Sequence, residues 1–316
     1  MILVLSNRST FVSQTNQQNF LTMKKLFASA CALMSFGFAY SQANVDVSTQ
    51  LGNLNEAYVN QTGFVNMNLL TQDGNRNIAT IDQVGAGNMN FALSDGNRNV
   101  IDVDQYGILN MNQVEQHGNR NEASTLQIGI ANSTSQMQIG NRNVASSTQL
   151  GMLNVASQYQ QGNRNEASTL QVGALNDSDQ EQIGNRNEAS SVQLGVNNDV
   201  IQEQWGNRNE AYALQVGSDN FIWQTQDGNR NEANHVQLGN DNVADSWQVG
   251  NRNSTTGLQV GNDNELHQWQ FGNDNTAIDL QIGSSNYTSV LQSGTNHFHL
   301  GTQVGNGNTL VTMQSN

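Results

Sequence analysis

Glycine recurs every eleven residues from Gly52 to Gly305, twenty-four times without an insertion or a slip. A fixed short period sustained over most of 316 residues is the signature of a solenoid, in which each unit packs only on its neighbours. Two residues before each lattice glycine stands glutamine in twenty-three of the twenty-four places, with Ser94 as the exception. Three residues after it stands asparagine in twenty-three, with His297 as the exception. The half-repeat is therefore Q-x-G-x-x-N. Alternate halves carry G-N-R-N, from Gly74 to Gly250, so the full period is twenty-two residues.

Composition explains why the chain needs such a lattice. Only 36% of the residues are hydrophobic and 12% are charged, too little apolar material for an ordinary core. Bland polarity of this kind favours disorder, but the strict register argues against it, and so does the absence of proline. A stacked strand has no place for a residue without an N–H. Length alone suggests two domains, whereas an unbroken lattice predicts one elongated body.

The chain divides into four stretches. Residues 1–22 form an upstream extension, with Met23 as the expected true start. Residues 23–41, opening on Met23-Lys24-Lys25 and continuing with an apolar run from Leu26 to Tyr40, have the charged start and short hydrophobic region of a signal peptide. A short polar lead occupies 42–49, and the repeat solenoid occupies 50–316. Without Arg8, Lys24 and Lys25 the remainder carries nine arginines against twenty-six acids, a balance of −17 that disfavours a nucleic-acid partner. The single cysteine, Cys31, lies in the signal segment, so the exported chain must be held by hydrogen bonds and not by disulfides.

Between corners the sequence alternates with the period of a strand: Asn165, Ala167, Thr169 and Gln171 on one face, Glu166, Ser168, Leu170 and Val172 on the other. Two strands and two corners make one turn, and about twelve turns make an all-β solenoid; at a strand spacing of ~4.8 Å its length is ~57 Å. The glycine and the two residues after it are expected to form the corner. Hydrophobic patterning alone would bury the Leu/Val face. The opposite placement is preferred, because an exposed amide has no reason to recur at one lattice point, whereas buried amides stacked on their copies satisfy one another along the whole body. Ala57, Ile81, Val103, Ala123, Ala167 and Ala189 are then the expected filling.

This leaves two outward rows. Leu170, Val172, Val192, Leu194, Leu214, Val216, Val236 and Leu238 form an apolar stripe along one arm, either folded partly over the core or offered as a lateral contact. Arg76, Arg98, Arg120, Arg142, Arg164, Arg186, Arg208, Arg230 and Arg252 all stand two after a lattice glycine and should form one row at a single corner. Glu122, Glu166, Glu188, Glu210 and Glu232 follow two residues later, so a solvated, charge-balanced corner is the simplest expectation, and an anion-facing row that grips surface polysaccharide the alternative. No unique grouping of nucleophile, base and acid emerges, so no enzyme, cofactor or metal is expected. His297 and His299 are two ligands at most, too few for a zinc site.

The half-repeat Gln160-Gln161-Gly162-Asn163-Arg164-Asn165-Glu166-Ala167-Ser168-Thr169-Leu170-Gln171 resembles the curlin repeat of curli-type functional amyloid subunits, over about Gln50 to Gln314. The resemblance implies a secreted bacterial protein that polymerises end to end with itself at the cell surface, in the biofilm matrix, where such fibres serve adhesion and aggregation. It also implies an outer-membrane export machinery and a nucleator subunit as partners. Carried onto this chain, Gln149, Gly151, Asn154, Gln160, Gly162, Asn165, Gln171, Gly173, Asn176, Gln182, Gly184 and Asn187 are the amide-ladder and corner positions. The competing expectation is a monomeric β-solenoid adhesin or polysaccharide-binding protein.

Overall fold

The computed structural model describes residues 43–316; the upstream extension at 1–22 and the signal segment at 23–41 lie outside the described residues. From Asn44 to Asn316 the chain is one compact unit. Among the described residues all regular structure is strand. Odd-numbered strands, from β1 (Val45–Asn53) to β25 (Thr309–Ser315), make a 13-stranded sheet, and even-numbered strands, from β2 (Glu56–Phe64) to β24 (Phe298–Val304), make a 12-stranded one. Every pairing is parallel and joins residues twenty-two apart, as in Gly162↔Gly184 between β11 (Val155–Asn163) and β13 (Asp177–Asn185). The fold is a two-sheet parallel β-solenoid of about twelve turns.

Two boundaries differ from the sequence expectation. Val45 to Thr49, expected as a polar lead, already belong to β1, and the Asn44 side chain accepts from the Asn66 N–H at 3.0 Å. The corner is also shorter than expected. Each strand before β24 continues through the lattice glycine and the residue after it, so that only the next two residues leave the ladder. The bend requires two positive-φ residues per half-repeat: the glycine, at φ 122° for Gly162, and the residue two positions later, a non-glycine everywhere but Gly87 and Gly307, at φ 59° for Arg164. A Cβ on Gly162 would strike the carbonyl of Gly184 in the next turn, so only glycine fits there.

The interior is made of amides. Gln149, Gln160, Gln171 and Gln182 are fully buried, as are Asn154, Asn165 and Asn176, with Asn187 at 1% exposure. Each glutamine does two things. Gln160 Nε2 donates to Gln182 Oε1 at 2.9 Å, extending the ladder, and to the Val144 carbonyl at 2.8 Å, tying the two sheets together. Asparagine staples the corner: Asn165 Nδ2 reaches the Gly184 carbonyl at 3.0 Å, while Asn143 Oδ1 receives the Asn165 N–H at 3.0 Å. Polar groups that the glycine bend would leave unpaired are thus satisfied by side chains. A buried amide left without a partner costs about 1–3 kcal/mol, so a lattice that pairs nearly all of them needs little apolar surface.

Between the ladders the filling varies. Ala123, Ala167 and Ala189 are fully buried, and Ile81 and Val103 pack with Leu70, Ile101 and Val114 in an apolar segment; Ala57, beside the first turn, is only partly buried. Further along, a second glutamine ladder, Gln136 to Gln158 to Gln180 to Gln202 to Gln224, replaces hydrocarbon, with steps of 2.8–2.9 Å. A second apolar cluster around Val200, Ile222 and Leu266 follows. His235 lies at this junction, fully buried between Gln224 and Gln268, and burial pushes its pKa down to about 4, so the ring is neutral.

Candidate functional site

Four outward surfaces follow from the lattice: two sheet faces and two corners. The nine arginines stand on one corner, each exposed and each with φ between 56° and 60°. Their backbone N–H groups continue the stacking, as in Arg164 N–H to the Asn141 carbonyl at 3.0 Å. The hydrogen-bonded backbone offsets the modest cost of the left-handed conformation, and the side chains are free to point outward.

The expected charge balance with glutamate is not what the structure contains. Among the described residues the row has one ion pair, Arg252 with Asp274, at 2.7 Å. Glu166, Glu188 and Glu210 stack on one another at the start of their strands instead. Burial, followed by repulsion from Glu210 and Glu166, raises the Glu188 pKa, as expected of acids that lack a cationic partner. The reason is geometric: the arginine projects from the corner, whereas the glutamate two residues later is the first residue of a strand and projects from the sheet face.

Beside the arginines runs a feature the sequence reading overlooked. The residue after each lattice glycine from Gly52 to Gly272 on this corner is asparagine, and these side chains form a second, outward ladder from Asn53 to Asn273, with Nδ2-to-Oδ1 steps such as Asn141 to Asn163 at 3.1 Å and Asn163 to Asn185 at 2.9 Å. An exposed amide can therefore recur for a reason, contrary to the premise used to orient the strands. The signal was present in the G-N-R-N tetrads. Together the two rows line a groove of about 1650 Å³ that runs along the corner, with Leu54, Asp274 and Thr295 as its remaining lining residues.

The apolar stripe lies on the outer face of the 12-stranded sheet. Leu170, Val172, Val192, Leu194, Leu214, Val216 and Val236 are half-buried by their stacked neighbours and Leu238 is exposed, so the rows shield one another partially. The opposite corner was also missed: Ile108, Ile130, Met152, Leu153, Leu175 and Val196 are all exposed there, and Leu109 is half-buried. All four tryptophans stand on the outer face of the 13-stranded sheet. Indole N–H groups are held by carboxylates one turn away, Trp223 by Glu203 at 3.3 Å and Trp269 by Asp245 at 3.1 Å. On the same face Asp179 is pushed up to about 7 by burial and by Asp177, Glu181 and Glu203, and burial pushes Asp199 up to about 6.

His297 and His299 do not converge. His297 faces the Ser293 carbonyl, and His299 is buried against Asp279 at 2.9 Å. Among the described residues no group of three or more His, Cys, Asp or Glu is placed to hold a metal ion. No protein-family model matches the chain, and comparison with curated proteins finds no match.

Proposed function

We propose that this chain is a non-enzymatic structural subunit of an extracellular, curli-like fibre, formed by stacking solenoids end to end so that the two sheets continue from one copy into the next. The observation that carries the reading is the uninterrupted parallel register: each strand offers the next turn the same backbone edge and the same Gln and Asn groups. Within the described body β1 pairs on one side only, with β3 (Met67–Asn75), and Gln50 opens the glutamine ladder there. An edge of this kind is a template for another strand. The resemblance of the half-repeat to the curlin repeat supports a secreted, bacterial, cell-surface setting in the biofilm matrix, with export machinery and a nucleator as partners.

The test is fibre diffraction on the purified chain after incubation. Oriented fibres should give reflections near ~4.7 Å along the axis and ~10 Å across it. A chain that remains monomeric for days at high concentration overturns the proposal.

A further inference from the structure

We propose that the groove at the arginine corner binds a linear acidic polysaccharide, a chain of uronic acid residues laid parallel to the solenoid axis. This goes beyond the fibre reading and does not depend on it, because the groove is complete in a single copy.

The two rows supply the two kinds of group that such a ligand needs. Every turn from Arg76 to Arg252 contributes one guanidinium, and eight of the nine have no ion pair among the described residues. A guanidinium presents a planar fork of donors that matches a carboxylate. Each turn also contributes one exposed asparagine, whose amide uses one hydrogen and one lone pair within its ladder. The second hydrogen and lone pair can meet a ring hydroxyl. A uronic acid presents a carboxylate and hydroxyls on every ring, and one ring advances about as far as one strand spacing, ~4.8 Å. Over a few turns successive rings therefore stay close to successive arginines, whether every carboxylate or every second one faces them.

The balance of −17 outside the upstream and signal segments does not oppose this, because the charges are segregated. The lining of the groove contains one acid, Asp274, at its end, and at physiological ionic strength charges on other faces are screened within about 8 Å. Single-stranded nucleic acid is the other polyanion to consider. Grooves that bind it add aromatic platforms for the bases, and this groove is lined by none. The opposite corner supports assignment to a ligand: there the same left-handed position is occupied by Val65, Leu109, Ala131, Leu153 or Asp219 with φ of 54–59°, so the fold does not ask for arginine.

The experiment measures binding of the full chain to β-(1→4)-linked polymannuronate oligomers, the same oligomers with their carboxyl groups reduced, and oligo(dT) of equal charge. Polymannuronate should bind, more tightly as length increases, and more weakly as salt is raised. The neutral oligomers should not bind. Replacing four central arginines together, R142Q/R164Q/R186Q/R208Q, should weaken binding by about tenfold or more, and the corresponding lysine variant should fall between. Because a variant can fail for reasons of folding, protection of the unmodified chain is read as well: polymannuronate should slow modification of Arg164 and its neighbours by phenylglyoxal. Equal binding of the neutral oligomers, tighter binding of oligo(dT), or unprotected arginines would each overturn the proposal.

Discussion

The two corners of the solenoid are built on one backbone and carry different chemistry. Arg164 and Leu175, half a turn apart, have φ of 59° and 60° and make equivalent backbone bonds, to the Asn141 and Met152 carbonyls at 3.0 and 3.1 Å. One corner repeats Asn-Arg; the other is apolar from Phe64 to Val196 and then turns to Ser218-Asp219, Asn240-Asp241 and Asn262-Asp263. Since the lattice tolerates all of these, the corner side chains are not dictated by folding. The glycine before them and the asparagine after them are dictated, by a close approach in one case and by orphaned backbone groups in the other. Within one chain, the halves of the repeat thus serve as controls for one another.

The largest expected effect comes from violating what the corners share. Gly162→Ala places a methyl group against the Gly184 carbonyl at φ 122°. It should cost at least the ~1–3 kcal/mol of a strained backbone position, and should abolish hydrogen-exchange protection across the neighbouring turns. Arg164→Ala, two residues away, should shift the urea midpoint by an amount equivalent to ~0.5 kcal/mol or less. Comparable losses from the two substitutions would mean that the arginine has a structural role after all.

Deletions sharpen the same contrast at the level of whole turns. Removing Gly140 to Gln161, one full turn, joins Ile139 to Gly162 and keeps every arginine above an arginine; assembly lag and fibre yield should be nearly unchanged. Removing Gly140 to Leu150 joins Ile139 to Gly151 and exchanges the corners of all later turns, so that arginines stack on apolar residues. The smaller deletion should lengthen the lag more. The reverse result is incompatible with two distinct corners.

Interior and corner ladders offer a gentler comparison. The glutamine ladder has one gap, at Ser94, where the serine hydroxyl and Gln116 Oε1 are buried without a partner. Ser94→Gln should stabilise the chain by ~1 kcal/mol, with an increase in the urea midpoint as the readout, because it supplies the missing donor. Asn163→Ser interrupts the exposed corner ladder, where water replaces the lost bond, and should leave the midpoint within ~0.5 kcal/mol of the parent.

A last comparison concerns pH, and is read from a slope, since shifts of opposite sign partly offset one another. Asp179 has a folded-state pKa of about 7 against an ordinary 3.8, so the folded chain holds this proton more tightly than the unfolded chain does between those values. Its contribution to stability is therefore full below pH ~4, declines as pH rises toward 7, and is constant above. Asp199, Glu181 and Glu203 act in the same direction. His235, lowered to about 4 by burial, acts oppositely between 4 and its ordinary 6.5. The urea midpoint should decline from pH 4 to 7, and Asp179→Asn should flatten or reverse the slope. An unaltered slope in that variant would remove Asp179 from the account.

The sequence by itself determined the strands, the turn of twenty-two residues, the alignment of each residue with its copy and the inward direction of Gln160, Asn165 and Ala167. All of these follow from periodicity, because a repeat of fixed length forces like onto like. Only the tertiary structure decided what the rows do to one another. Glu166 and Arg164 are two residues apart in sequence, yet one leaves from a sheet face and the other from a corner, so they do not pair. Asn163, exposed and apparently without purpose in sequence, becomes a ladder when its copies are brought into contact one turn away. Asp179 acquires its raised pKa from burial first, then from Asp177 and Glu181 in its own strand and from Glu203 in the next turn. The positive φ of Arg164 could not be read from a residue type that ordinarily avoids it; it is imposed by a glycine bend and held by a hydrogen bond to the turn before.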